Sequence, residues 1–132
     1  MKLLVVDDTE EYIPLMQMML KSYGQADSAM DGQTAIDKVE SALKSNDPYK
    51  IVFLDILMPI MTGREVVRKI REIEEGLGID HDERTRILLV SAQSDTETVL
   101  GSMLDDGGDG YLIKPIDKDK LKSAIEDLEL EG

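Results

Sequence analysis

The chain has 132 residues and no cysteine. That length suits one domain that buries roughly two thirds of its unfolded surface without a staple, and the missing thiols exclude a disulfide scaffold, a cysteine nucleophile and a Cys-ligated zinc site. Acidic residues outnumber basic ones 28 to 15, for a formal charge of −13, a field that repels nucleic-acid phosphates and anionic membranes, and four Tyr, one Phe and no Trp leave no base-stacking platform.

The pattern alternates between short continuous apolar runs and amphipathic segments. Lys2 to Val6 (KLLVV) is the first run. A helical stripe of Tyr12, Met16, Met19 and Tyr23 follows, with Leu15 and Leu20 beside it. Pro14 puts the start of that helix near Glu10, because proline is tolerated only in a first turn. Ala26 to Met30 is a weaker, more polar strand candidate. Ala35, Ile36, Val39 and Leu43 make a second stripe. Ile51 to Leu54 (IVFL) is the next strand, and Val66, Val67, Ile70 and Ile73 the third stripe. Ile87 to Val90 (ILLV) is a strand, followed by a fourth stripe of Val99, Leu100, Met103 and Leu104. Gly110 to Ile113 (GYLI) and a fifth stripe of Leu121, Ala124, Ile125 and Leu128 complete the series.

Continuous apolar runs suit strands buried on both faces of a parallel sheet. Five strands alternating with five helices predict a single α/β domain over residues 1–132, a doubly wound parallel sheet. Strand order 2-1-3-4-5 is the common solution for five units, and it places a functional site beyond the carboxyl ends of strands one and three. The longest apolar run, Ile51 to Met61, is broken by Asp55 and Pro59 and is about half a bilayer span. With no secretory leader pattern at the N-terminus, the expected compartment is the cytoplasm.

The strand ends carry the chemistry. Strand one ends in Asp7-Asp8, strand three in Asp55, strand four in Ser91-Ala92 and strand five in Lys114-Pro115. A single acid after a strand is usually a helix cap or a solvated turn; this set, converging on one sheet edge, points to chemistry. Three neighbouring carboxylates repel one another unless a cation compensates. Mg²⁺, a hard cation that takes a few carboxylates and keeps its waters, is the natural choice. Three carboxylates and a divalent cation leave one negative charge, which Lys114 offsets. Such a site can accept a phosphoryl group, with Asp55 as nucleophile and Ser91 as a hydroxyl donor.

The motifs LLVVDD, AMDGQTAI, FLDILMPIMTG, LLVSA and YLIKPI, in that order, closely resemble the receiver domain of two-component response regulators (the CheY-like, flavodoxin-like fold). The resemblance runs over about residues 2 to 128. It implies that Asp55 is phosphorylated by a sensor histidine kinase, a phosphotransfer protein or a small phosphodonor. It implies Mg²⁺ held by Asp8, Asp55 and the backbone carbonyl of Leu57, with Asp7 acting largely through water. Ser91 and Tyr111 would be the switch pair, Tyr111 turning inward when Ser91 moves. Lys114 would contact a phosphoryl oxygen, ahead of a commonly cis bond to Pro115. The fourth helix, fifth strand and fifth helix would change affinity for an output protein, and some receivers dimerise on phosphorylation. The chain reads as a stand-alone receiver, a signalling switch whose own chemistry is limited to self-catalysed phosphotransfer and dephosphorylation.

Several residues invite separate readings. Gly32 and Gly63 read as turn formers, the eight methionines as core filler, and His81 as a surface residue. The connection Glu72 to Arg86 is long for a compact domain; it reads either as a specificity insert or as an extended helix followed by a neutral loop. Leu57 and Gln93 occupy positions that modulate dephosphorylation in the family, and an apolar Leu57 cannot orient an attacking water, which implies a long-lived phosphoryl group; a hydrolysis rate unchanged by Leu57→Asn would refute this. Gly101-Ser102 and Gly107-Gly108 weaken the fourth helix, which would ease switching. Two rival classes fit less well. An aspartyl-phosphate phosphatase needs a second acid where Leu57 stands, and a never-phosphorylated interaction module usually loses part of the acidic cluster or the lysine. A flavin-binding relative would want a hydroxyl-rich phosphate loop that the chain lacks.

Overall fold

A computed structural model describes residues 1–56, 62–92, 101 and 103–128. In chain order the elements are β1 (Lys2–Val6), α1 (Tyr12–Leu20), β2 (Gln25–Ala29), α2 (Gly32–Lys44), β3 (Ile51–Asp55), α3 (Gly63–Gly76), a 3₁₀ turn (His81–Glu83), β4 (Arg86–Ser91), β5 (Gly110–Ile113) and α4 (Lys118–Asp127). All strand pairings are parallel, in the order β2-β1-β3-β4-β5. This is the doubly wound α/β sheet that the sequence predicts. The fourth predicted stripe falls mostly outside the described residues; 101 and 103–105 are helical.

Alternation within the apolar runs builds two cores at once, because successive strand side chains point to opposite faces. Leu4, Val6, Val52, Leu54, Ile87 and Leu89 face α2 and α3. Leu3, Val5, Ile51, Phe53, Leu88 and Val90 face α1 and α4. Three helices begin on side-chain caps: Asp31 accepts from Thr34 N, Thr62 from Glu65 N and Asp117 from Lys120 N. Each satisfies an amide that the helix geometry leaves unpaired.

Four details differ from the sequence reading. The buried stripe of α1 is Ile13, Met16 and Leu20, while Leu15 is 48% and Met18 72% exposed. The β2 strand begins one residue earlier than predicted and leaves Met30 exposed. Gly63 adopts an ordinary helical backbone; a Cβ there would lie 2.7 Å from Met103 Cε and 3.0 Å from Ile56 Cα, so close packing, not a turn, requires glycine. The Glu72–Arg86 connection opens with the last turn of α3, which runs to Gly76, and continues through the 3₁₀ turn in a segment that is not neutral. Arg84 and Thr85 there join a buried ionic network with Arg71, Glu74 and Asp109. His81 is exposed on the 3₁₀ turn. Among the described residues, no helix is long and apolar enough to cross a membrane.

Candidate functional site

Register alone brings the acidic residues together. Val6 pairs with Leu54, so the residues that follow them, Asp7 and Asp55, are neighbours at the carboxyl edge. Asp55 pairs with Val90, and Ser91 with Ile113, which puts Ser91 and Lys114 on the same edge. Backbone hydrogen bonds pin each exit: Asp7 N donates to Ala29 O at 3.1 Å, Ile56 N to Val90 O at 3.1 Å, and Lys114 N to Ser91 O at 2.8 Å.

Oxygens of Asp7, Asp8 and Asp55 all lie within 4.8 Å of one another. Asp7 is 2% exposed and Asp55 is buried, whereas Asp8 opens to solvent. Asp7 divides its carboxylate between two tasks: Oδ1 accepts from Thr9 N at 2.8 Å, shaping the turn into α1, and Oδ2 faces Lys114 Nζ at 3.4 Å. Lys114 Nζ is also 3.9 Å from Asp55 Oδ2. The Lys114-Pro115 bond is cis. An all-carboxylate donor set with one solvent-facing member fits a hard divalent cation and would suit a softer, thiolate-seeking metal poorly.

Two expected residues stand back from this cluster. Ser91 is 1% exposed and its hydroxyl donates to Ala92 O at 3.2 Å. Tyr111 lies on β5 with its side chain outward, 51% exposed. Leu57 and Gln93 lie outside the described residues. The sequence reading missed Tyr12, assigned there to the core stripe of α1. Its ring lies under the Lys114 ammonium, 4.3 Å from Nζ to the centroid. Burial pushes its phenol up, the Asp7 carboxylate adds to the rise, and the Ile116 backbone works against it. The available signal was position: Tyr12 opens the helix that directly follows the acidic pair.

A family model, the response regulator receiver domain, matches residues 3–126. The chain belongs to this family. Receiver domains are signalling switches of two-component systems, not classical enzymes, and they interact with histidine kinases and phosphotransfer proteins. This receiver is 37% identical over 125 residues to hybrid signal transduction histidine kinase L of Dictyostelium discoideum, covering 94% of the chain and 7% of that protein. It is 32% identical over 127 residues to the response regulator ArlR of Staphylococcus aureus, covering 94% and 50%. The chain thus spans about half the length of ArlR and a small part of the hybrid kinase. Among solved structures, the receiver domain of the histidine kinase CKI1 from Arabidopsis thaliana, complexed with Mg²⁺ and BeF₃⁻, superposes with a TM-score of 0.83 at 26% identity, covering 97% of this chain and 89% of that one.

Proposed function

We propose that this chain acts over residues 1–132 as one receiver that takes a phosphoryl group on Asp55 and changes its affinity for a protein partner. The observation that carries the reading is the meeting of Asp7, Asp8 and Asp55 oxygens within 4.8 Å, with Lys114 Nζ at 3.4 and 3.9 Å from two of the carboxylates. Asp7, Asp8 and Asp55 would hold Mg²⁺, joined by the Leu57 carbonyl that the family resemblance implies. When bound, the cation offsets carboxylate repulsion and supplies positive charge for phosphoryl oxygens. The Mg²⁺ in the CKI1 receiver complex supports this choice of metal.

An Asp55 carboxylate oxygen forms a bond to phosphorus while the P–N bond of a phosphohistidine, or the P–O bond of a small acyl phosphate, breaks. The bonding pair leaves with the donor atom, and an imidazole leaving group recovers a proton from solvent. Lys114 meets one phosphoryl oxygen. Ser91 turns its hydroxyl from Ala92 O towards another, and Tyr111 swings inward from its exposed position into the space vacated. The face formed by the fourth predicted helix, β5 and α4 (the fifth predicted helix) then presents a different surface to an output protein or to a second copy of the receiver. Reversing a two-state equilibrium from 1:99 to 99:1 takes about 5.5 kcal/mol of differential interaction. The expected donors are a sensor histidine kinase or phosphotransfer protein of the cytoplasm.

Intact mass after incubation with acetyl phosphate tests the reading. One phosphoryl adduct is expected with Mg²⁺ and none with a chelator or in Asp55→Asn. A wild-type protein that forms no adduct with acetyl phosphate or with a phosphorylated histidine donor, and does not bind Mg²⁺, would be an interaction module instead.

A further inference from the structure

Lys114 has a long, flexible side chain, and holding such a chain in one geometry costs up to about 2 kcal/mol of rotamer entropy. Its contacts with Asp7 and Asp55, at 3.4 and 3.9 Å, are longer than the ~2.7–2.9 Å of tight charge-assisted bonds. The carboxylates therefore attract the ammonium without clamping it. The Tyr12 ring supplies a further contact, at 4.3 Å to the centroid, well inside the ~6 Å reach of a cation–π interaction.

We propose that Tyr12 is a positioning residue, whose ring face holds the Lys114 ammonium at the Asp7–Asp55 edge before a phosphoryl group arrives. The consequence for phosphorylation rests on the function proposed above; the contact itself does not. The ring is anchored to the site it serves. Thr9 N donates to Asp7 Oδ1 at 2.8 Å and Tyr12 N donates to Thr9 O at 3.0 Å. One short turn thus fixes Tyr12 relative to the carboxylate that faces Lys114. A plain core role explains Tyr12 less well. Buried tyrosines usually find a partner for their hydroxyl; among the described residues the Tyr12 hydroxyl is buried and makes no full hydrogen bond, the Ile116 backbone acting on it without full geometry. Packing alone would be served as well by phenylalanine. The ring, stacked on a cation, is the part of the side chain with a task.

The test compares Tyr12→Phe with Tyr12→Leu and Tyr12→Met, the last a second non-aromatic replacement should Leu impair folding. In the unphosphorylated wild type, the Lys114 ε-methylene protons are expected upfield in NMR spectra, shifted by the ring current. That shift should persist in Tyr12→Phe and vanish in Tyr12→Leu and Tyr12→Met. With acetyl phosphate and Mg²⁺, the apparent KM should rise about 5-fold in the non-aromatic variants, the scale of a lost cation–π contact, while the rate at saturation changes less. Tyr12→Phe should restore the wild-type KM. An unshifted Lys114 in the wild type, or a shift that survives in the folded non-aromatic variants, overturns the proposal. So does a Tyr12→Phe protein as impaired as Tyr12→Leu, which would transfer the role to the hydroxyl. If the wild type accepts no phosphoryl group, the function proposed above fails, and the Lys114 shift still decides the contact.

Discussion

The two ends of the sheet treat charge in opposite ways. Where the strands begin, the buried carboxylates are matched. Glu74 accepts from Arg71 and from Thr85 N, and Asp109 accepts from Arg71, Arg84 and Ile87 N. Asp27 and Asp47 on the same side are met by Tyr49 and Lys2. Where the strands end, three carboxylates crowd within 4.8 Å of one another, two of them facing the Lys114 ammonium. At the first end charge is committed to holding α3, β4 and β5 together. At the second, three carboxylates are left close together, an arrangement that a bound cation would relieve. The contrast predicts that removing a carboxylate lowers stability at one end and raises it at the other.

The largest expected effect is at Asp109. Asp109→Ala deprives two arginines and the buried Ile87 amide of an acceptor. Breaking a buried ion pair by removing one partner, with an orphaned amide, costs about 3 kcal/mol. Urea unfolding reads this directly. Asp106 is the control, since its arginine partners Arg64 and Arg68 are well exposed; Asp106→Ala should cost under about 1 kcal/mol. Equal losses in the two variants would break the distinction between a buried network and surface pairing.

Much of this contrast was open to sequence reasoning at one end and closed at the other. The carboxyl edge is legible because its residues sit immediately after apolar runs: Asp7 after KLLVV, Asp55 after IVFL, Lys114 after GYLI. A strand's end is a local signal, and parallel order then converts three local signals into one site. The opposing network gives no such signal. Arg71 and Glu74 look like an ordinary exposed i,i+3 pair in the charged stretch of α3, and Asp109 like one acid in a polar loop. Only the approach of 107–109 to α3 shows them as partners, with Gly107 at φ +124 and its carbonyl accepting from Arg71. Tyr12 was hidden for a different reason: helical periodicity counts it as core, and periodicity is blind to a cation arriving from β5.

A middling effect is expected at Tyr49. Its hydroxyl donates to Asp27 Oδ2 at 2.7 Å, and burial, followed by that bond, pushes the phenol far above its ordinary value of 10.0. Because the folded state holds this proton more tightly than the unfolded chain, the contribution is complete below pH 10 and is lost as the pH rises beyond it. Tyr49→Phe should cost about 1 kcal/mol at neutral pH and flatten the alkaline limb of the stability curve, read as unfolding midpoints from pH 8 to 11. An unchanged alkaline limb would mean that the two ends differ less in how firmly they hold their polar groups.

The smallest effect, and the sharpest in sign, is at Asp8. It is the exposed member of the acidic trio, so its repulsion acts through water. Two unit charges 4 Å apart in water interact by about 1 kcal/mol; Asp8→Asn should therefore raise stability by up to ~1 kcal/mol in a chelator. Mg²⁺ reverses the ranking. A ligand at a hundred times its dissociation constant stabilises the state that binds it by about 2.7 kcal/mol. The wild type should gain unfolding midpoint with added Mg²⁺, while Asp8→Asn gains little. The two curves cross, and the crossing distinguishes repulsion held for a ligand from a simple surplus of surface charge. If Asp8→Asn is the less stable protein without metal, the trio is compensated within the fold, and the opposition between the two ends of the sheet fails at its functional end.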